Sequence, residues 1–244
     1  MKLKKTILIL TAVLTVPVLS SCSNSYEKAY KKTEALSSYE TEITTTVTLN
    51  DDEETKTTDV VQHVSVYNEG KKNMRYRVKT TSSSINENGD SEAETESEYT
   101  YYNGKYYISM PGVKYTSQID IDGAVKNIEN LTDIISLPYD KMYNVEESKK
   151  DGKTVYKYDV EGEDISDYIL SLLQSAADSI GDKTFKATSI SATATVESSY
   201  VTERTFTADY AADGALFTVE VKMSLTSESA DVEIPNVSEY ADIE

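Results

Sequence analysis

The segment "LFTVEVKMSL", residues 216–225, alternates without a break. Phe217, Val219, Val221, Met223 and Leu225 fall on one side, and Thr218, Glu220, Lys222 and Ser224 on the other. Successive strand side chains point to opposite faces, so this pattern makes a strand with one apolar and one wet face. The same period runs through Ile43, Thr45, Val47 and Leu49, through residues 60–67, and through Met74, Tyr76 and Val78. Asn103-Gly104, Asp151-Gly152 and Asp213-Gly214 sit between such runs. These pairs tolerate the positive φ that a two-residue type I′ hairpin needs at both central positions. Nineteen Tyr and no Trp, with abundant Thr and Val, favour strands as well. A sheet of this kind has one apolar face that must be covered.

Three helical stretches can supply the cover. Residues 25–37 place Tyr26, Ala29, Tyr30, Thr33 and Leu36 on one face, with Ser25 as a candidate cap. Residues 122–137 carry Val125, Ile128, Leu131, Ile134 and Ile135 as an apolar stripe. Residues 164–180 do the same with Ile165, Tyr168, Ile169, Leu172, Leu173, Ala176 and Ile180; Asp164 or Ser166 can start that helix and Gly181 can end it. The predicted order is helix, about five strands, helix, two strands, helix, three or four strands. The fold class is α+β: an antiparallel sheet with helices on one face.

The N-terminus reads as an address. Lys2, Lys4 and Lys5 precede the apolar run "ILILTAVLTVPVL", which is shorter than the about 20 residues of a membrane-spanning helix and is interrupted by Pro17. It ends at Leu19-Ser20-Ser21-Cys22, which resembles a bacterial lipobox. The resemblance implies cleavage between Ser21 and Cys22 and a diacylglyceryl group on the Cys22 thiol; the alternative is an ordinary signal followed by a free Cys. Residues 1–21 are then a signal peptide, 22–25 a lipidated tether, and 26–244 one domain. Two acyl chains, palmitate-like in length, hold a protein far better than one, at about 0.8 kcal/mol per buried CH2. Cys22 is the only cysteine, so the fold relies on packing without disulfides, as in many proteins exported by Gram-positive bacteria. The expected location is the outer face of the cytoplasmic membrane.

The chain carries a formal charge of −18, and losing the three leader lysines takes the remainder to −21. Such a surface repels nucleic-acid phosphates, and no nucleic-acid partner is expected. His63 is the only histidine and lies on a strand pattern; no nucleophile elbow or Gly-rich phosphate loop accompanies it. The chain is read as not an enzyme, with no cofactor and no metal. Residues 118–129 come near a calcium loop, since Asp120, Asp122, Gly123 and Glu129 occupy ligand-type positions, but Gln118 replaces the first Asp. The preferred reading is a helix N-terminus, where Asp offsets exposed N–H groups. The runs "NDDEE" and "DSEAETESE" read as solvated loops. The Tyr-rich hairpin "YYNGKYYIS" has two readings: cross-strand packing, or a surface for sugars or lipid head groups.

From "YEKAYKKTEALSSYETEI", the Tyr-rich hairpin, the inserted helices and "ADVEIPNVSEYADIE" as a closing strand, the chain resembles the superfamily of the lipoprotein carrier LolA and the mycobacterial lipoprotein LppX, including lipoproteins of Gram-positive bacteria. The resemblance implies a half-barrel, a strongly curved antiparallel sheet with helices over its concave face. It also implies a hydrophobic or amphiphilic ligand there: a lipid, an acyl chain or a lipidated partner. The candidate lining is Phe217, Val219, Val221, Met223 and Leu225 from the sheet and Ile128, Ile135, Ile169, Leu172 and Leu173 from the helices. The alternative is a non-catalytic interaction module whose core is filled by its own side chains. A monomer is expected.

Overall fold

The computed structural model describes residues 19–50, 55–85, 94–132, 138–160, 186–212 and 215–242. Helix α1 (Leu19–Glu34) is followed by β1 (Tyr39–Asn50), β2 (Thr55–Tyr67), β3 (Arg75–Ile85), β4 (Thr95–Tyr102), β5 (Lys105–Met110) and β6 (Val113–Gln118). Helix α2 (Ile121–Thr132) precedes β7 (Tyr143–Lys150) and β8 (Lys153–Asp159). The chain ends with β9 (Lys186–Glu197), β10 (Tyr200–Ala212), β11 (Ala215–Ser227) and the short β12 (Ala241–Asp242).

All twelve strands join one open, curved sheet in the order β12-β6-β5-β4-β3-β2-β1-β11-β10-β9-β8-β7. The first and last long strands meet at its centre, with Ile43 opposite Met223, Val47 opposite Val219 and Leu49 opposite Phe217. The expected half-barrel is therefore present, with one exception to its antiparallel pairing: β12 runs parallel to β6. Turn chemistry fixes the hairpins. Asn103 and Gly104 have φ of 50° and 80°, Asp151 and Gly152 have 52° and 79°, and each pair joins residues that face each other across the ladder. Asp213-Gly214 lies outside the described residues, although Ala212 and Ala215 on either side pair directly.

Strand parity puts one apolar face inward, and two helices cover it side by side. In the first core, Ala124, Ile128 and Leu131 of α2 pack on Ile43, Val64, Tyr76, Val78, Phe206, Phe217, Val219 and Val221. In the second, Tyr26 and Ala29 of α1 pack on Tyr156, Tyr158, Ala192, Ala194 and Val201. The register places both sets on the same side of the sheet, since Ala194 faces both Tyr156 and Arg204, and Arg204 faces Met223. Fully burying one such aliphatic or aromatic side chain is worth about 1.5–3 kcal/mol.

Several expectations are corrected. Helix α1 begins upstream of Ser25, which therefore lies inside the helix and not at its cap; its hydroxyl meets the Tyr156 hydroxyl at 2.7 Å. Six strands precede α2 where about five were expected, because Pro111-Gly112, with Gly112 at φ 78°, turns β5 into β6. Residues 228–236 form no strand, and the closing strand shrinks to the two residues of β12. The expected helix 164–180 and the end of the 122–137 stripe lie outside the described residues.

Candidate functional site

A cavity of about 410 Å3 opens in the seam between the two cores. Its walls come from the end of α1 and the loop after it (Thr33, Glu34, Leu36, Ser37), from β1 (Tyr39), α2 (Val125, Glu129, Thr132), β10 (Val201, Arg204) and β11 (Met223, Leu225). The volume falls within the roughly 300–1,000 Å3 of small-molecule sites.

Local hydrogen bonds hold these walls. Thr33 Oγ1 donates to the Ala29 carbonyl at 2.9 Å and accepts from the Val201 N–H at 2.8 Å, pinning the last turn of α1 to β10. The loop that follows is bolted to the β2–β3 turn: the Glu69 N–H donates to the Ser37 carbonyl at 2.7 Å, and the Asn68 N–H to Ser38 Oγ at 3.0 Å. Val125, Glu129 and Thr132 recur at helical spacing on one side of α2. That helix starts where the near-calcium loop was noted. Asp120 Oδ1 accepts from the Gly123 N–H at 2.7 Å, so Asp120 is the N-cap and the capping reading is the one found. No group of three metal-ligating side chains occurs among the described residues.

The polar feature of the seam is Arg204. It is 3% exposed, and its Nη2 donates to Glu34 Oε1 at 3.0 Å. Its Nε has no partner among the described residues. A charge this far from water needs its counter-ion, because desolvating an ion costs several kcal/mol. Burial pushes the nearby Tyr158 hydroxyl up to about 12, with the Arg204 charge pulling the other way. Burial also raises Tyr26 well above the ordinary tyrosine value.

The expected site residues divide. Met223 and Leu225 line the cavity, joined by Val125. Phe217, Val219, Val221 and Ile128 are packed solid in the α2 core. Ile135, Ile169, Leu172 and Leu173 lie outside the described residues. Cys22 falls within the backbone of α1. His63 is exposed on β2, with Nδ1 3.4 Å from Glu42 Oε2. Part of the Tyr-rich hairpin is engaged in ring packing: Tyr101 and Tyr106, with Tyr99, gather round Tyr76 with centroids 5.6 to 6.0 Å from its ring, while Tyr107 packs on Tyr240. The Tyr76 and Tyr106 hydroxyls are hydrogen-bonded, and Asn127 of α2 donates to Tyr106 at 2.9 Å.

Arg204 and Glu34 were not anticipated, although a signal existed. In "RTFTA" the parity that turns Phe206 and Ala208 inward turns Arg204 inward too, and a charged residue in an apolar register marks a buried pair or a site.

No protein-family model matches the chain, and no curated protein matches it. Among solved structures, LprF from Mycobacterium bovis is 12% identical, covers 89% of this chain and 97% of its own, and superposes with a TM-score of 0.44. A DUF1329 family protein from Desulfovibrio piger is 10% identical, with coverage of 88% and 95% and a TM-score of 0.27. Neither likeness bears on the ligand, for which the chain's own geometry is the guide.

Proposed function

We propose that the chain is a non-catalytic, lipid-anchored protein of a Gram-positive cell surface that holds a hydrophobic or amphiphilic ligand in the seam cavity. The observation that carries this is the cavity itself. Leu36, Tyr39, Val125, Met223 and Leu225 offer an apolar lining, and a buried guanidinium sits in the same wall. An acyl chain placed there would gain roughly 25 cal/mol per Å2 of apolar surface buried. Placing Trp at Leu225 fills the seam from the rim of β11, where the side chain is only half-buried and the strand need not move. A fluorescent acyl probe should bind the wild type saturably and the Leu225→Trp variant at least tenfold more weakly, with unchanged circular dichroism. Absence of saturable binding to the wild type would overturn the reading.

The second reading, an interaction module with a filled core, has its own support in the solid packing of Phe217, Val219, Val221 and Ile128. It becomes the better one if that probe does not bind.

The anchor is part of the same proposal. A diacylglyceryl group on Cys22 would lie at the head of α1, whose Tyr26 and Ala29 are buried against β8–β10, so the domain would be held close to the bilayer. Metabolic labelling with a fatty-acid analogue should mark the wild type and leave Cys22→Ala unmarked. Equal labelling of both would remove the lipobox from the account.

A further inference from the structure

Thr132 Oγ1 donates to the Ile128 carbonyl at 2.9 Å, Thr202 Oγ1 to the Thr195 carbonyl at 3.4 Å, and Thr33 is used twice. Ser37 Oγ accepts from Lys71 Nζ at 3.3 Å. Arg204 stands apart. A guanidinium carries five N–H donors in a rigid fork. The bond to Glu34 uses one of them, and Nε is left without a partner among the described residues. An unmet donor on a buried ion is costly. Here it belongs to a side chain that also lines a cavity of ligand size.

The charge balance of the wall narrows what can meet the guanidinium. Arg204 is the one cation among the described lining residues, and Glu34 already opposes it at 3.0 Å. Glu203 is matched by Lys222 at 2.8 Å, while Glu69 and Glu129 add further carboxylates to the lining. A ligand carboxylate or phosphate would bring one more negative charge to a wall without surplus positive charge. A neutral carbonyl oxygen accepts the same hydrogen bond without that cost.

We infer that Arg204 is the polar anchor of the seam: its guanidinium donates to the carbonyl oxygen of a neutral acyl ester or amide whose chain lies along Leu36, Met223 and Leu225. Glu34 then has two roles. It holds the fork in place, and by neutralising it excludes free fatty acid. This rests on the proposed binding function and adds the ligand's chemical class and the residue that selects it.

The test uses the full-length chain and the neutral dye Nile red, displaced in turn by glycerol monolaurate and by laurate, which share a chain length. Monolaurate should displace the dye at about tenfold lower concentration than laurate, the size expected for one good hydrogen bond. In Glu34→Gln the neutralising charge is gone, and charge-assisted bonding to Arg204 should shift the ratio of the two affinities by about tenfold toward laurate. In Arg204→Met the preference for monolaurate should vanish. Should that variant unfold because Glu34 is left facing an apolar wall, the double variant Glu34→Gln with Arg204→Met removes the stranded carboxylate and is expected to bind both ligands equally. Laurate displacing as well as monolaurate in the wild type, or the preference surviving removal of Arg204, would overturn the assignment while leaving the cavity intact. A dye that fails to bind the wild type at all would instead overturn the binding function.

Discussion

Ser198 and Ser199 turn β9 into β10 with φ of 52° and 71°, and Glu197 pairs with Tyr200 across them. Both residues are therefore left-handed, as in a type I′ turn, without the glycine that makes this conformation cheap. A non-glycine residue held there costs of order 1 kcal/mol or more. The same molecule makes this turn better at Asn103-Gly104 and Asp151-Gly152. Replacing Ser198-Ser199 by Asn-Gly should raise the stability by about 1 kcal/mol, less than the full strain because glycine also loosens the unfolded chain. For a chain of this length the melting temperature should rise by about 2–4 °C; no rise would mean that the flanking ladder carries the turn whatever its residues. This turn is also where sequence reading was weakest, because Ser-Ser carries no preference for positive φ. The Arg204–Glu34 pair was legible in half: the parity of β10 gives Arg204, but nothing in "KKTEALS" says that Glu34 will meet it across 170 residues.

Among the elements, α2 shows how a local pattern becomes a wall of the seam. Asp120 starts the helix, its apolar stripe is read directly from the spacing, and Ile128 ends fully buried beneath the sheet. Ile128→Ala removes a packed side chain at the point where α2 meets the sheet, and a cost of about 3 kcal/mol is expected. Urea unfolding should show a lower midpoint with an unchanged slope, because the surface exposed on unfolding barely changes. A cost under about 1 kcal/mol would mean that α2 is not the lid its packing describes. Strand faces were legible for the same reason as this helix: the period is set by nearest neighbours. Strand order was not. That β1 pairs with β11 is decided by which edges remain once the hairpins have formed, and hairpin chemistry alone does not state it. The cavity was illegible for a related reason. Phe217 and Leu225 belong to one alternating run, yet one is packed solid and the other, partly buried against the same core, lines a gap, because the α1 and α2 cores rest on different strands.

At the scale of the whole molecule, the chain after β11 acts as a strap. It leaves the sheet at Ser227, buries Val232 completely, and returns at the far edge to pair β12 with β6. Arg75 donates to the Val232 carbonyl at 2.9 Å, and the Tyr240 ring stands edge-on to Tyr107 at 5.3 Å. Two ion pairs fasten the end, Lys114 to Glu239 and Lys105 to Asp242, each at 2.7 Å, and Thr116 also donates to Asp242. The strap thus covers an edge strand that would otherwise present unpaired backbone groups. Its hold depends on pH in a definite direction. The hydrogen bond from Lys105, and then that from Thr116, keeps Asp242 below the usual carboxylate range; Lys114, and then Asn236, does the same for Glu239. A carboxyl group lowered on folding adds stability above its unfolded value and loses it as pH falls through the lowered folded value. The lysines are raised by the same contacts, so their share is present below their ordinary value and fades as pH rises through the raised one. Acid also relieves the general repulsion of a chain at −18, so melting of the wild type alone would mix two effects. The difference between wild type and the double variant Glu239→Gln with Asp242→Asn separates them, since both proteins share nearly the same surface charge. The wild type should melt higher at neutral pH, and that advantage should shrink to nothing as pH falls below the lowered carboxylate values. It should also shrink in 1 M salt, where the Debye length is about 3 Å. No advantage of the wild type at neutral pH would show that Val232 and Tyr240, which both proteins share, and not the ion pairs, keep the strap closed.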